Sequence, residues 1–117
     1  MFSGAYRRGD VPADALAGLP VSRGTVEGRA RVVRDLADAA FEPGDILVTA
    51  FTDPSWTPLF VPAAAVVVDV GAPMSHAVIV SRELGIPCVI SATGATKRIT
   101  DGARVRVDGN TGIVTVL

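Results

Sequence analysis

This sequence has very few of the residues that most often carry chemistry. It holds one histidine and one cysteine in 117 residues. A lone Cys88 excludes an internal disulfide, so the fold must stand without one. One His and one Cys are also too few for an ordinary zinc site, which leaves the expectation that the chain binds no metal. Charge of one sign is lacking too: 11 Lys and Arg stand against 12 Asp and Glu, for a net charge of −1. That balance gives no footprint for nucleic acid or for an anionic membrane. The longest apolar run, Ala63 to Val68, is far short of the roughly 20 residues that span a bilayer. Residues 1–20 include Arg7, Arg8 and Asp10 but no apolar segment of a secretory signal, so cytoplasm is the default compartment. A phosphate-binding P-loop is missing, because Gly94-Ala95-Thr96-Lys97 lacks the preceding glycine at the required spacing. No spacing marks a pair of carboxylates for acid–base work.

What is present suits one folded domain. Apolar residues make up 49% of the chain and charged residues 20%, enough for a core and too balanced for disorder. Residues 1–18 are weakly patterned and read as a leader or inter-domain linker, with a short helix starting at Asp10. The domain proper is expected over 19–117. Ala30 to Arg34, Ile46 to Thr49, Ala64 to Val68 and Cys88 to Ile90 have strand length and character. The third of these is apolar throughout, as a strand covered on both faces would be. Asp35 to Ala40 reads as a helical turn, Thr52 to Pro58 as a proline-framed connector, and Thr93 to Ile99 as a turn with room for one helical turn. Val105 to Val107 and Ile113 to Val116 flank Asp108-Gly109-Asn110-Thr111-Gly112, a strong hairpin signal. One clear helix is predicted over Ser75 to Leu84, with Ser75 as N-cap, Gly85 just past its end and Pro87 beyond. Its spacing puts Ala77, Val80 and Leu84 in the core. The fold class is α/β: a mixed sheet in layers with few helices, not a doubly wound nucleotide fold.

The single histidine falls at the most structured junction of this pattern. The strand ending at Val68 leads through Asp69-Val70-Gly71-Ala72-Pro73-Met74 into the helix, whose first turn holds His76. A helix start presents free N–H groups and a partial positive charge, which attract a phosphoryl group. The same field disfavours an imidazolium, so the ring is expected to stay neutral with a lone pair free to act as nucleophile. Gly71 and Ala72 are small enough for backbone amides to approach a phosphate, and Ser75 can donate to it or cap the helix. A Ser75–His76 dyad is unattractive, because adjacent helical residues point about 100° apart. The bland alternative is a histidine that merely fills space.

The run Gly71-Ala72-Pro73-Met74-Ser75-His76-Ala77 through Ser81-Arg82-Glu83-Leu84-Gly85-Ile86-Pro87-Cys88-Val89-Ile90 resembles the signature of the phosphoenolpyruvate-utilising enzyme mobile domain. This phosphohistidine swivelling domain occurs in phosphoenolpyruvate synthase, pyruvate phosphate dikinase, enzyme I of the sugar phosphotransferase system and rifampicin phosphotransferase. Val21-Ser22-Arg23-Gly24, Thr52 to Phe60 and the closing hairpin extend the likeness over residues 19–117. The resemblance implies a swivelling β/β/α domain whose main helix starts at the phosphohistidine. It implies that His76 is phosphorylated, with Nε2 as the precedent, and relays the group between two distant centres. One is an ATP-grasp nucleotide-binding domain. The other is a domain for phosphoenolpyruvate, pyruvate or another acceptor. Such partners, fused or separate, would hold the Mg²⁺ and the ATP or phosphoenolpyruvate. The chain would then be a phosphotransferase component and not a complete enzyme, either an excised domain or a stand-alone mobile subunit. The rival reading is a non-catalytic interaction or regulatory module that keeps the fold.

Three positions depart from the family pattern. Ala72 replaces a second glycine, Ser81 an alanine, and Met74 a threonine that is a regulatory phosphorylation target in some dikinases. Among other residues, Thr49 and Thr52 are expected near the His pocket. Arg82 is expected to be structural or to contact a partner, Glu83 to lie on the surface, and Cys88 to be buried and inert. Trp56 and Phe60 are expected to pack.

Overall fold

The computed structural model describes residues 15–35, 41–71 and 75–117. Eight strands form one sheet in the order β1-β8-β7-β3-β4-β5-β6-β2. They are β1 (Ala15–Ala17), β2 (Leu19–Ser22), β3 (Thr25–Val32), β4 (Ile46–Thr49), β5 (Ala65–Val68), β6 (Cys88–Ile90), β7 (Arg104–Asp108) and β8 (Ile113–Val116). The helices are α1 (Thr57–Phe60), α2 (His76–Leu84) and α3 (Ala95–Arg98), and a 3-10 turn spans Pro54–Trp56.

The longest strand, β3, joins two kinds of pairing. Residues Thr25 to Arg29 pair antiparallel with β7, and Ala30 to Val32 pair parallel with β4. From there β4, β5 and β6 continue in parallel, and β2 closes the edge antiparallel to β6. Every residue of β4, β5 and β6 is buried, which explains why these strands read as unbroken apolar runs. Alternate side chains serve two cores. Ile46, Val48, Val67 and Val89 pack with Val105, Val107 and Val114 of the antiparallel half. Leu47, Val66, Val68, Cys88 and Ile90 pack with Trp56, Phe60, Ala77 and Val78 under the helices. Each fully buried aliphatic side chain contributes about 1.5–3 kcal/mol, so the parallel strands carry a large share of the fold's apolar stabilisation. The result is the layered β/β/α arrangement.

Helix α2 keeps its predicted limits. Gly85 adopts a left-handed conformation (φ 72°, ψ 26°) at its end. The Gly85 and Ile86 amides then return to the Arg82 and Ser81 carbonyls, a Schellman closure that glycine allows without strain. The buried face differs from the expected one: Ala77, Val78 and Ser81 are buried, whereas Leu84 is 42% exposed. The helix turns a narrow seam to the sheet, and Leu84 at its end points away from that seam.

Other parts also depart from the sequence reading. Ala15 and Leu16 are strand, not helix, and pair with Thr115 and Val114. The connector after β4 is helical from Pro54, because Asp53 caps the turn with its side chain accepting from the Ser55 amide and Pro54 sits at the first helical position. The segment Thr93 to Ile99, by contrast, holds the single helical turn expected of it, α3. The helical turn expected at Asp35 to Ala40 lies, except for Asp35, outside the described residues, as does the start expected at Asp10. Gly109 in the closing hairpin lies so near β2 that a Cβ added to it would land on the Ser22 carbonyl oxygen.

Candidate functional site

The site forms at the carboxyl ends of two adjacent parallel strands, where open α/β sheets usually bind ligands. β4 ends at Thr49 and delivers Thr52, then the 3-10 turn and Thr57 at the start of α1. β5 ends at Val68 and delivers the segment that opens α2, with His76 as its first residue. Strand pairing of β4 with β5 therefore brings the two loops together around one imidazole.

That imidazole is held at both nitrogens. Thr52 Oγ1 lies 3.0 Å from His76 Nδ1, and Thr57 Oγ1 lies 3.0 Å from Nε2. The Thr57 hydroxyl also donates to the Pro54 carbonyl at 2.9 Å. Phe60, fully buried, meets the ring edge-on, with centroids 5.2 Å apart and planes at 76°. One apolar ring and two neutral hydroxyls thus fix the histidine. The residue as a whole is half-buried.

Ser75 occupies the N-cap position with extended backbone (φ −70°, ψ 161°), yet its side chain makes no capping bond. Its Oγ is buried and has no hydrogen-bond partner among the described residues. A buried hydroxyl without a partner costs about 1–3 kcal/mol, and here it lies at a helix start beside the histidine. Asp53 next to Thr52 is held below the usual carboxylate range, chiefly by the Ser55 hydroxyl and then by the Ser55 amide. Most of its stabilisation comes from that turn, and His76 adds a smaller coulombic share. Among the described residues, no three His, Cys, Asp or Glu side chains gather where they could hold a metal ion.

The family model described as "PEP-utilising enzyme, mobile domain" matches residues 41–112. The chain belongs to this family. It is 58% identical over 116 residues to a rifampicin phosphotransferase of Streptomyces sviceus, covering 99% of this chain and 13% of that protein. It is 53% identical over 117 residues to a rifampicin phosphotransferase of Bacillus cereus, covering 100% of this chain and 14% of that protein. The chain therefore spans about one seventh of the length of these relatives, most of which lies in other regions. An NMR structure of Enzyme I matches with a TM-score of 0.57 at 32% identity, over 70% of this chain and 33% of that one. Aconitase X of Thermococcus kodakaraensis shares the fold, with a TM-score of 0.68 at 19% identity over 88% of this chain and 98% of that one. Among the described residues, no helix is long and apolar enough to cross a membrane.

Within this mobile domain, the structure separates the residues singled out in the sequence. Thr52 hydrogen-bonds His76, whereas Thr49 is buried at the end of β4. Gly71 ends the β5 segment with its Cα against Ile90, where an added Cβ would lie 3.2 Å from the Ile90 Cβ. Its smallness thus serves close packing against β6. Ala72 and Met74 lie outside the described residues. Arg82 donates from Nε to the Val21 carbonyl at 2.7 Å and ties α2 to β2. Glu83 is exposed. Burial pushes the Cys88 thiol up to about 11, so it stays protonated and unreactive at neutral pH. Thr57 was missed. The Asp53-Pro54 pair, a helix-start signal, could have shown that the chain turns there and swings Thr57 back toward the β5 loop.

Proposed function

We propose that this chain is a mobile phosphocarrier, relaying a phosphoryl group through His76 between an ATP site and an acceptor site on partner domains. The observation that supports it most is the placement of the sole histidine. It opens a helix at the carboxyl edge of a buried parallel sheet, with both ring nitrogens on neutral hydroxyls. Identity above 50% with rifampicin phosphotransferases over the full chain favours acceptors of that kind, an antibiotic hydroxyl among them.

In this reading Nε2 carries the phosphoryl group. Its lone pair forms the P–N bond as the P–O bond of the donor breaks, and the leaving oxygen keeps the electron pair. The ring proton then resides on Nδ1, where the Thr52 oxygen can accept from it. In the second half an acceptor oxygen attacks phosphorus, and Nε2 leaves with its pair. The free amides at the start of α2 and the Ser75 hydroxyl favour the phosphoryl oxygens. ATP, or phosphoenolpyruvate, and Mg²⁺ belong to an ATP-grasp domain and an acceptor domain elsewhere. Cytoplasm is the matching compartment.

Labelled ATP and labelled phosphoenolpyruvate, supplied with the remaining domains of a rifampicin phosphotransferase, test the reading. Acid-labile, base-stable label on the wild type and none on His76→Ala is the expected result. Equal label on both, or none on either while an authentic mobile domain labels, would favour the non-catalytic interaction module.

A further inference from the structure

Thr57 stands in a relation to His76 that the phosphocarrier reading does not require. A threonine hydroxyl has one proton to give and lone pairs to accept with. Thr57 Oγ1 has two neighbours within hydrogen-bond distance, the Pro54 carbonyl oxygen at 2.9 Å and His76 Nε2 at 3.0 Å. The carbonyl oxygen can only accept, so the Thr57 proton goes to Pro54. The same oxygen can then meet Nε2 only as an acceptor, which requires the imidazole proton to sit on Nε2. In a neutral ring Nδ1 is then the bare nitrogen, and the Thr52 hydroxyl, 3.0 Å away, supplies its donor. All three hydrogen bonds are satisfied by this one arrangement of protons and not by its reverse. If Thr57 turned its proton to Nε2, the Pro54 carbonyl would lose its side-chain donor.

We propose that Thr57 is a positioning residue that sets the tautomer of His76, keeping the proton on Nε2 and that nitrogen closed to phosphoryl attack while the contact lasts. Rigid local structure supports this role. Asp53 caps the turn through the Ser55 amide, and the Trp56 amide returns to the Asp53 carbonyl. Trp56 and Phe60, on either side of Thr57, are buried in the core beneath α2. The hydroxyl is therefore presented from a braced turn, not from a free loop. Attack at Nε2 needs its proton to pass to solvent and another to arrive on Nδ1. It also needs the ring to leave Thr57 or the Thr57 side chain to rotate. A carrier that meets water constantly gains from a resting form whose reactive nitrogen is covered. The consequence for phosphorylation rests on the phosphocarrier reading; the tautomer assignment does not.

The experiment uses the chain uniformly labelled with ¹⁵N, in which a single imidazole gives an unambiguous ring spectrum. Wild type, Thr57→Val and Thr57→Ser are compared above the imidazole titration, with backbone amide spectra to show that each is folded. Wild type and Thr57→Ser are expected to show one tautomer, protonated on Nε2, and Thr57→Val a mixture. The same three proteins are treated with phosphoramidate, a small phosphoryl donor that needs no partner domain. Thr57→Val should take label on Nε2 about three- to tenfold faster, as loss of one ordinary hydrogen bond allows, with Thr57→Ser restored to wild type. A wild-type ring protonated on Nδ1, or a tautomer unchanged in Thr57→Val, overturns the assignment whether or not phosphate is taken. If no variant takes phosphate but the tautomer shifts as stated, Thr57 keeps its role and only the phosphocarrier reading falls.

Discussion

The two ends of strand β4 carry opposite kinds of polar chemistry. At its amino end Asp45 is buried and ionic. Arg29 Nε reaches it at 3.2 Å, Arg31 Nε at 3.2 Å and the Glu42 amide at 3.0 Å. Burial alone would raise the Asp45 carboxyl, but the Glu42 amide and the two guanidiniums outweigh it and hold the group below its ordinary value. At the carboxyl end Thr52, Thr57, Ser75 and His76 meet with no ion pair among them. Charge locked by several partners fixes a backbone, because removing any partner leaves another uncompensated. Neutral hydroxyls carry no such lock: each holds its role by single hydrogen bonds of about 0.5–1.5 kcal/mol, which a moving ring can break. The amino end therefore serves as anchor, and the carboxyl end as the place where protons and a phosphoryl group can be exchanged.

Substitutions at the two ends should separate stability from transfer. The largest effect is expected from Phe60→Ala, which empties a fully buried site under α2 and removes the ring against His76. A loss of about 3–5 kcal/mol should appear in denaturant unfolding, and transfer should fall with it. Asp45→Asn should cost about 1–2 kcal/mol, since its guanidinium partners are partly solvated, and leave phosphorylation per folded molecule unchanged. A carboxyl lowered on folding contributes stability above its unfolded value, near 3.8, and that contribution is lost as pH falls through the folded value. Wild type should therefore lose stability on acidification below about pH 4, and Asp45→Asn should lose less over the same range in a pH series of melts. Thr52→Val should do the reverse of Asp45→Asn. Its melting should stay near wild type while phosphoryl acceptance slows about tenfold, the worth of one hydrogen bond made to the reacting ring. Arg82→Ala should be smallest, about 0.5 kcal/mol, measured by unfolding, since it loses one exposed tie to Val21. A large transfer defect in Asp45→Asn without unfolding would break the division between the two ends.

Where sequence pattern and burial coincide, the fold was legible. β4, β5 and β6 are covered on both faces and read as apolar runs, and the hairpin of β7 and β8 is announced by its turn residues. Helix α2 was legible because both of its ends are marked by residues with local reasons to be there. Short edge elements were not: β1 and β2 owe their state to pairing with β8 and β6, which no local pattern records. The site was half legible. His76 stood out as the only histidine at a loop-to-helix junction, and Thr52 lay in a stretch that resembled the family. Thr57 escaped because its meaning depends on β4 lying beside β5, a fact of pairing and not of spacing. Ser75 takes the N-cap position its type suggested, but its hydroxyl makes no capping bond and has no partner among the described residues. Arg82 drew attention by its charge, yet the fold uses it to join a helix to a strand.

The most direct test of the central claim is to locate the phosphoryl group. The chain is charged by the remaining domains of a rifampicin phosphotransferase with ATP, digested at neutral to basic pH, and mapped by mass spectrometry alongside ³¹P NMR of the intact protein. One acid-labile phosphoryl group on Nε2 of His76, lost again when an acceptor hydroxyl is supplied, is the predicted result. Phosphate on a serine or threonine, or on no residue at all while the partner domains charge their own mobile domain, would contradict it.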